Sequence, residues 1–303
     1  MTVPAKVLEG RRNEGTARKG TPHRETPSMH KKKKEKTRER QFQPTLRGWE
    51  EQDRREEEAT YLGDQMLPPG KEILRYYFQN VNGIKPQSEQ PAWNNMMETI
   101  REKNLAIFGF VETNVEWSLP LHSTCAQIMR KTFKHRELVT SSSKTAISRT
   151  YKPGGTCIGV VGKWQSRVNI KGKDPQGMGR WTYIGIEGKD VKILFILAYR
   201  VCEQKASMEG PATAYMQQWT IMRHKGIKNP KPREQFVVDI IKFITEWQEK
   251  GYEIVLGMDA NEPLGVTRNG IHKIIQENRL TDAHMEKYGE KIPETYERGT
   301  EKN

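Results

Sequence analysis

Tyr252-Glu253-Ile254-Val255-Leu256-Gly257-Met258-Asp259-Ala260-Asn261-Glu262 opens as an apolar run and closes on an acid and an amide. The run from Tyr252 to Met258 has the length and composition of a buried strand. Side chains alternate along extended backbone, so Asp259 and Asn261, two apart, are expected on one face. Such a pair at a strand end can bind a hard divalent cation, hold a phosphate oxygen or orient a water. It can equally be an Asp/Asn turn whose short polar side chains cap the backbone.

Working outward, other apolar runs end in the same manner. Ile73 to Val81 runs into Asn80-Val81-Asn82-Gly83, Leu105 to Val111 stops at Glu112-Thr113-Asn114, and Val191 to Tyr199 delivers a tyrosine. Thr156 to Val161 and Trp181 to Ile186 read as further strands. Helical spacing is expected over Trp93 to Lys103, Leu119 to Phe133, Ala212 to His224, Arg233 to Lys250 and Gly270 to Asn278. Ser141 to Arg149 reads as a polar loop. Strand ends gathered at one sheet edge are a common way to build a site. A buried acid needs a cation or donor to compensate it. Oxygen donors without His or Cys favour Mg²⁺, with Mn²⁺ as the substitute, over zinc. Mg²⁺ beside a phosphate ester points to metal-assisted phosphodiester hydrolysis.

Composition narrows the class. The 303 residues carry a formal net charge of +13 and an isoelectric point near 9.5, which favours a polyanionic partner. No apolar run is long enough to span a bilayer, and the N-terminus lacks a secretory hydrophobic segment. Cys125, Cys157 and Cys202 fit neither a disulfide framework nor a zinc spacing. An intracellular protein is expected. Residues 1–70 read as a disordered charged tail, because residues 1–46 hold too little apolar surface to offset the entropy of ordering. The block from Lys31 to Arg40 suits nuclear import or phosphate contact. Pro68-Pro69-Gly70 marks the boundary of a domain over 71–303.

Six motifs in order, FQNVNG (78–83), GFVETN (109–114), PGGT (153–156), GMGRW (177–181), ILAYR (196–200) and GMDANE (257–262), resemble the endonuclease/exonuclease/phosphatase superfamily. GMGRW and AYR look most like the endonuclease domains of non-LTR retrotransposons. The resemblance implies an α/β (α+β) four-layer sandwich, two packed mixed β-sheets flanked by helices. It implies Glu112 as principal metal ligand, and Asn80 as a residue that helps hold metal and phosphate. It further implies that Asp259 activates water, Asn261 steadies the phosphate, and Tyr199 reaches it. Arg180 and Arg200 are left out of this set, either being a plausible surface charge.

The family closes with a strand carrying R-I-D and then S-D-H, whereas the sequence given stops at Thr300-Glu301-Lys302-Asn303. The last strand is therefore expected to be missing and activity impaired. Thr281-Asp282-Ala283-His284 mimics the closing motif in letters, but reads as an inter-helix element preceding a loop. The function implied is Mg²⁺-dependent phosphodiester hydrolysis in the nuclease branch, acting on DNA. The alternatives are a phosphatase for a small phosphorylated molecule and a non-catalytic nucleic-acid-binding remnant.

Overall fold

The computed structural model describes residues 73–84, 91–147, 151–203, 212–263 and 268–289, all within the unit Gly63–Asn303. The tail over 1–70 and the chain end after Gly289 lie outside the described residues. In chain order the elements are β1 (Tyr76–Asn80), α1 (Pro91–Glu102), β2 (Ile107–Val111), α2 (Leu119–Thr132), β3 (Arg136–Ser141) and β4 (Thr156–Val161). A 3₁₀ turn (Gly162–Arg167) leads into β5 (Val168–Lys173), β6 (Trp181–Glu187) and β7 (Lys192–Tyr199). Then come α3 (Ala214–His224), α4 (Pro232–Glu249), β8 (Glu253–Asp259), α5 (Ile271–Glu277) and α6 (Ala283–Tyr288).

The strands form two four-stranded mixed sheets, ordered β1-β2-β4-β3 and β5-β6-β7-β8. The pairs β1–β2 and β7–β8 are parallel, and the rest are antiparallel. Period-two alternation explains why the inner strands read as unbroken apolar runs: both faces are covered. On β7, Phe195, Leu197 and Tyr199 enter the core between the sheets, while Leu194, Ile196 and Ala198 meet Phe236, Ile240 and Ile244 of α4. On β2, Ile107 and Val111 face the second sheet, while Phe108 and Phe110 pack with Trp93, Met97 and Met129 of α1 and α2. Helix, sheet, sheet, helix is therefore the layering, as expected.

Two strands were not expected from the sequence. β3 and β5 are the outer strands of their sheets on one side, and β5 alternates between half-buried and exposed residues. Their Arg, Glu and Lys residues break the apolar run by which the inner strands are recognised. The last motif also differs from expectation, since Ala283–Tyr288 is helical rather than a loop.

Phe78 of β1 locks the sheets together. It lies against Gly109 of β2 and Gly257 of β8; a β-carbon on Gly109 would come within 2.8 Å of both Phe78 and Leu197, and one on Gly257 would collide with the Phe78 ring. These glycines are present for space. Gly257→Ala is expected to lower the unfolding free energy by about 2–3 kcal/mol, because overpacking forces either the ring or the strand to move. Urea denaturation checks this, and wild-type stability would show that Phe78 does not fill that socket.

Candidate active site

The ends of β1, β2, β7 and β8 meet at the mouth of the gap between the sheets. Parallel register sets Tyr199 beside Asp259 and Asn80 beside Val111, the residue preceding Glu112. Asn80 Nδ2 donates to Asp259 Oδ2 at 2.7 Å, joining the first sheet to the second. The Tyr199 hydroxyl lies beside the Glu112 carboxylate, which acts on it as an acceptor and as a charge. Cys202, just past β7, donates its thiol to Asn261 Oδ1 at 3.1 Å. Asn80, Glu112, Tyr199, Asp259 and Asn261, expected from widely separated motifs, thus stand together.

Two of these strand ends use the same local device. The Asn82 N–H donates to Asn80 Oδ1 at 2.9 Å, and the Asn261 N–H donates to Asp259 Oδ1 at 3.1 Å. In both, the residue two positions on is left-handed, with φ of 43° at Asn82 and 48° at Asn261. Asp259 and Asn261 are therefore brought together by a tight turn and not by strand alternation, because the strand ends at Asp259. The expectation that extended backbone would align them is corrected here, and the Asp/Asn turn reading describes the local backbone. Glu112 (φ 51°) and Asn114 (φ 55°) share the conformation. Asn tolerates it through short-range hydrogen bonding, but Glu does not, so Glu112 is held under strain of about 1–2 kcal/mol.

The strain at Glu112 is held by its surroundings. The Gly83 N–H donates to Glu112 O at 2.7 Å, and the Asn114 N–H donates to Gly154 O at 2.8 Å. In return the Gly154 N–H donates to Asn114 Oδ1 at 2.8 Å. Gly154 and Gly155 sit at φ 89° and 86°, conformations that favour glycine, and a β-carbon on Gly155 would lie 2.7 Å from Thr113 Oγ1. The PGGT motif is thus the strap that pins the E-T-N turn. Beside it, buried Lys152 reaches Glu116 at 3.0 Å.

On the second sheet, Glu262 organises the turn. Its carboxylate pairs with Arg200 and, at 3.1 Å, with Arg233 of α4, and accepts the Ile271 N–H. Arg233 also donates to Val201 O and, at 3.3 Å, to Asn261 O. Asn261 Nδ2 donates to Arg200 O at 2.8 Å, and the Arg200 N–H donates to Asp259 O at 2.9 Å. Arg200 is therefore buried structure that fastens Asp259 and Asn261. Arg180 is fully buried too, with Nε 2.8 Å from Asp174 and Nη1 2.7 Å from Asp239. Neither arginine is a surface charge. Glu262, Arg233, Asp174 and Cys202 went unnoticed in the sequence. For Glu262 the signal was its place in GMDANE, and for Asp174 it was Arg180 six positions on; Arg233 and Cys202 meet partners distant in the chain.

Electrostatics at the mouth follow from two carboxylates facing a buried hydroxyl, that of Tyr199, and the partly covered thiol of Cys202. Burial first, then the hydrogen bond and charge of Glu112, push the Tyr199 phenol far above its usual range. Tyr199 therefore stays protonated and acts as a donor. Burial, then the charges of Glu112 and Asp259, also raise the Cys202 thiol, so it is a poor nucleophile. All the cation-binding donors offered here by Glu112, Asp259 and Asn80 are oxygens. Among the described residues no cluster of three or more His, Cys, Asp and Glu side chains forms a closed metal cage. That set suits Mg²⁺, which keeps several waters and takes one or two carboxylates plus substrate oxygens. His284 lies elsewhere: it is exposed on α6, near Tyr288, and its N–H is capped by Asp282 at 2.8 Å.

No family model matches the chain, and no curated protein matches it. Solved structures do match. Truncated Caenorhabditis elegans TDP2 is similar at 13% identity, over 62% of this chain and 61% of that one, with a TM-score of 0.36. The endonuclease domain of TRAS1, a telomere-specific non-LTR retrotransposon, is similar at 13% identity over 68% and 71%, with a TM-score of 0.37. A Leptotrichia buccalis protein described as an endonuclease/exonuclease/phosphatase family member is similar at 11% identity over 68% and 73%, with a TM-score of 0.36. The last carries the name of the superfamily that the motifs resemble. What the site can do follows from its own donors and their arrangement.

Proposed function

We propose that the chain is a metal-dependent phosphodiester hydrolase of the nuclease branch, acting on DNA with Mg²⁺ or Mn²⁺. The observation that carries this is the junction of two carboxylates, Glu112 and Asp259, with Asn80, Tyr199 and Asn261 at one sheet-gap mouth. Glu112 and Asn80 would hold the cation, and Glu112 is oriented for it by the Tyr199 hydroxyl. When bound, the cation would polarise a phosphoryl oxygen.

The remaining work falls to the chain. Asp259 is held by donors at both carboxylate oxygens, from Asn80 and from the Asn261 backbone. Its remaining lone pairs can take the proton of an attacking water without the group turning away. Asn261 uses one amide hydrogen on Arg200 O, which leaves the other for a phosphate oxygen. Tyr199 has a single proton, directed to Glu112 at rest; once a cation holds that carboxylate it can turn to developing charge as a second donor. The basic balance of the chain supports a polyanionic substrate.

Nicking of supercoiled plasmid tests the proposal. Slow nicking that needs Mg²⁺ or Mn²⁺, stops with chelator and disappears in Asp259→Ala is the expected result. Equal nicking by wild type and Asp259→Ala would remove Asp259 from the chemistry. Competition between plasmid DNA and an inositol phosphate separates nuclease from small-molecule phosphatase.

A further inference from the structure

A second charged surface lies at the pole opposite the active site. There the backbone links a row of basic residues across the whole first sheet. Arg75, just before β1, donates from Nη1 to Lys103 O at 2.9 Å, and its own carbonyl accepts the Ala106 N–H at 2.8 Å. The Val161 N–H donates to Ala106 O at 2.9 Å, and the next N–H, of Gly162, donates to His135 O at 2.9 Å. The order along the edge is therefore Arg75, Lys103, then the 3₁₀ turn with Lys163 and Arg167, then Lys134. Four strands at their usual spacing make this row on the order of 14 Å long. Lys103, Lys134, Lys163 and Arg167 are all exposed. Trp164, half-buried, packs against the core, with Lys163 and Arg167 at 5.2 and 5.9 Å from its ring.

Among the described residues carboxylates are scarce along this edge. Glu98 and Glu137 are each in ion pairs, with Arg101 and Lys171. That leaves Glu102 beside the row, and among the described residues no carboxylate pairs with Lys103, Lys134 or Arg167. The same pole of the second sheet is balanced: Glu187, Asp190 and Glu253 stand among Lys189, Lys192 and Lys250. The excess charge is a line along one sheet. A planar anionic membrane would meet both sheets, carboxylates included, whereas a nucleic-acid backbone can follow a single row.

We propose that this row is a second nucleic-acid-binding surface, separate from the catalytic mouth and able to hold a different stretch of backbone. Strands of five or six residues put the two poles roughly 20 Å apart. A straight duplex lying across one pole does not reach the other, because the protein stands between them. The surface stands on its own charge and geometry, so it holds whether or not the mouth cleaves DNA.

The test is binding by the full chain, read by fluorescence anisotropy against salt, with a labelled 40-base-pair duplex. The variant is Lys103→Gln, Lys134→Gln, Lys163→Gln and Arg167→Gln together. Neutralising four phosphate contacts should flatten the slope of log affinity against log salt by about 3–4, and weaken low-salt binding tenfold or more. The charge-conserving variant Lys103→Arg, Lys134→Arg and Lys163→Arg should keep the wild-type slope, which separates charge from any effect on folding. Metal-dependent nicking of a 10-base-pair duplex should be the same in wild type and the Gln variant, if nicking is present at all. An unchanged salt slope in the Gln variant overturns the proposal. So does loss of binding to phosphatidylserine vesicles in that variant with no loss on duplex.

Discussion

Glu112→Gln is expected to weaken Mg²⁺ binding on the order of a hundredfold or more, measured by calorimetry, in a protein that still folds. The size follows from how few charged donors Mg²⁺ takes from a protein. Removing an outer-sphere partner alone typically costs about 10–100-fold in affinity, so neutralising a direct anionic donor should reach at least the upper end. Gln keeps the shape and an oxygen for the Tyr199 hydroxyl, so the fold should survive. Unchanged affinity would pass the role of principal ligand to Asp259. The same position carries a second, independent signature. Because Glu112 is left-handed at φ 51°, Glu112→Gly should be more stable than Glu112→Ala by about 1 kcal/mol, the reverse of the usual penalty for glycine. Both variants lose the carboxylate equally, so their difference reads the backbone strain alone.

Arg180→Met is expected to lower the unfolding free energy by about 3–5 kcal/mol, measured by urea denaturation. Arg180 and Asp174 are both fully buried in their side chains, and the guanidinium meets Asp174 at two atoms and Asp239 at a third. Burial alone would lower the guanidinium's affinity for its proton. The hydrogen bonds and charges of Asp174 and Asp239 more than reverse that, and its pKa is raised. Methionine leaves the Asp174 carboxylate in the interior with backbone donors from Gln176 and Met178 at 2.9 and 3.2 Å and no counter-charge. Breaking a buried pair from one side is costly for that reason, whereas replacing both partners with apolar groups can be near neutral. Arg180→Met with Asp174→Leu should therefore be less destabilised than Arg180→Met alone. A single variant as stable as wild type would mean that the pair contributes nothing to the fold.

The fold was legible where burial is two-sided. β2, β4, β7 and β8 announce themselves as apolar runs because helices cover one face and the opposite sheet the other. β3 and β5 did not, because Arg136, Glu137, Lys171 and Lys173 belong to half-solvated strands at the outer side. The site residues stood out because each polar group terminates an apolar run, a contrast visible without coordinates. What holds them did not stand out. Glu262 meets Arg233 from a helix 29 positions earlier, and Arg180 meets Asp239 from 59 positions away. Charged pairing at such separations leaves no periodicity to read. Of the two readings open for Asn261, the turn holds and alternation fails: alternation lasts only while the chain stays extended, and Asp259 itself ends that extension by accepting the Asn261 N–H.

The bond from Asn80 to Asp259 bridges two jaws. Asn80 and Glu112 ride on one sheet, and Tyr199, Asp259 and Asn261 on the other, so the opening between them is set by how the sheets stack. Phe78, seated between Gly109 and Gly257, works as a dowel behind that opening. A substitution that slides the dowel alters the alignment of every donor pair at once, without touching any of them. Tuning this centre therefore has two separable controls. The tips decide which groups are presented, and the stacking of the sheets decides how wide they stand.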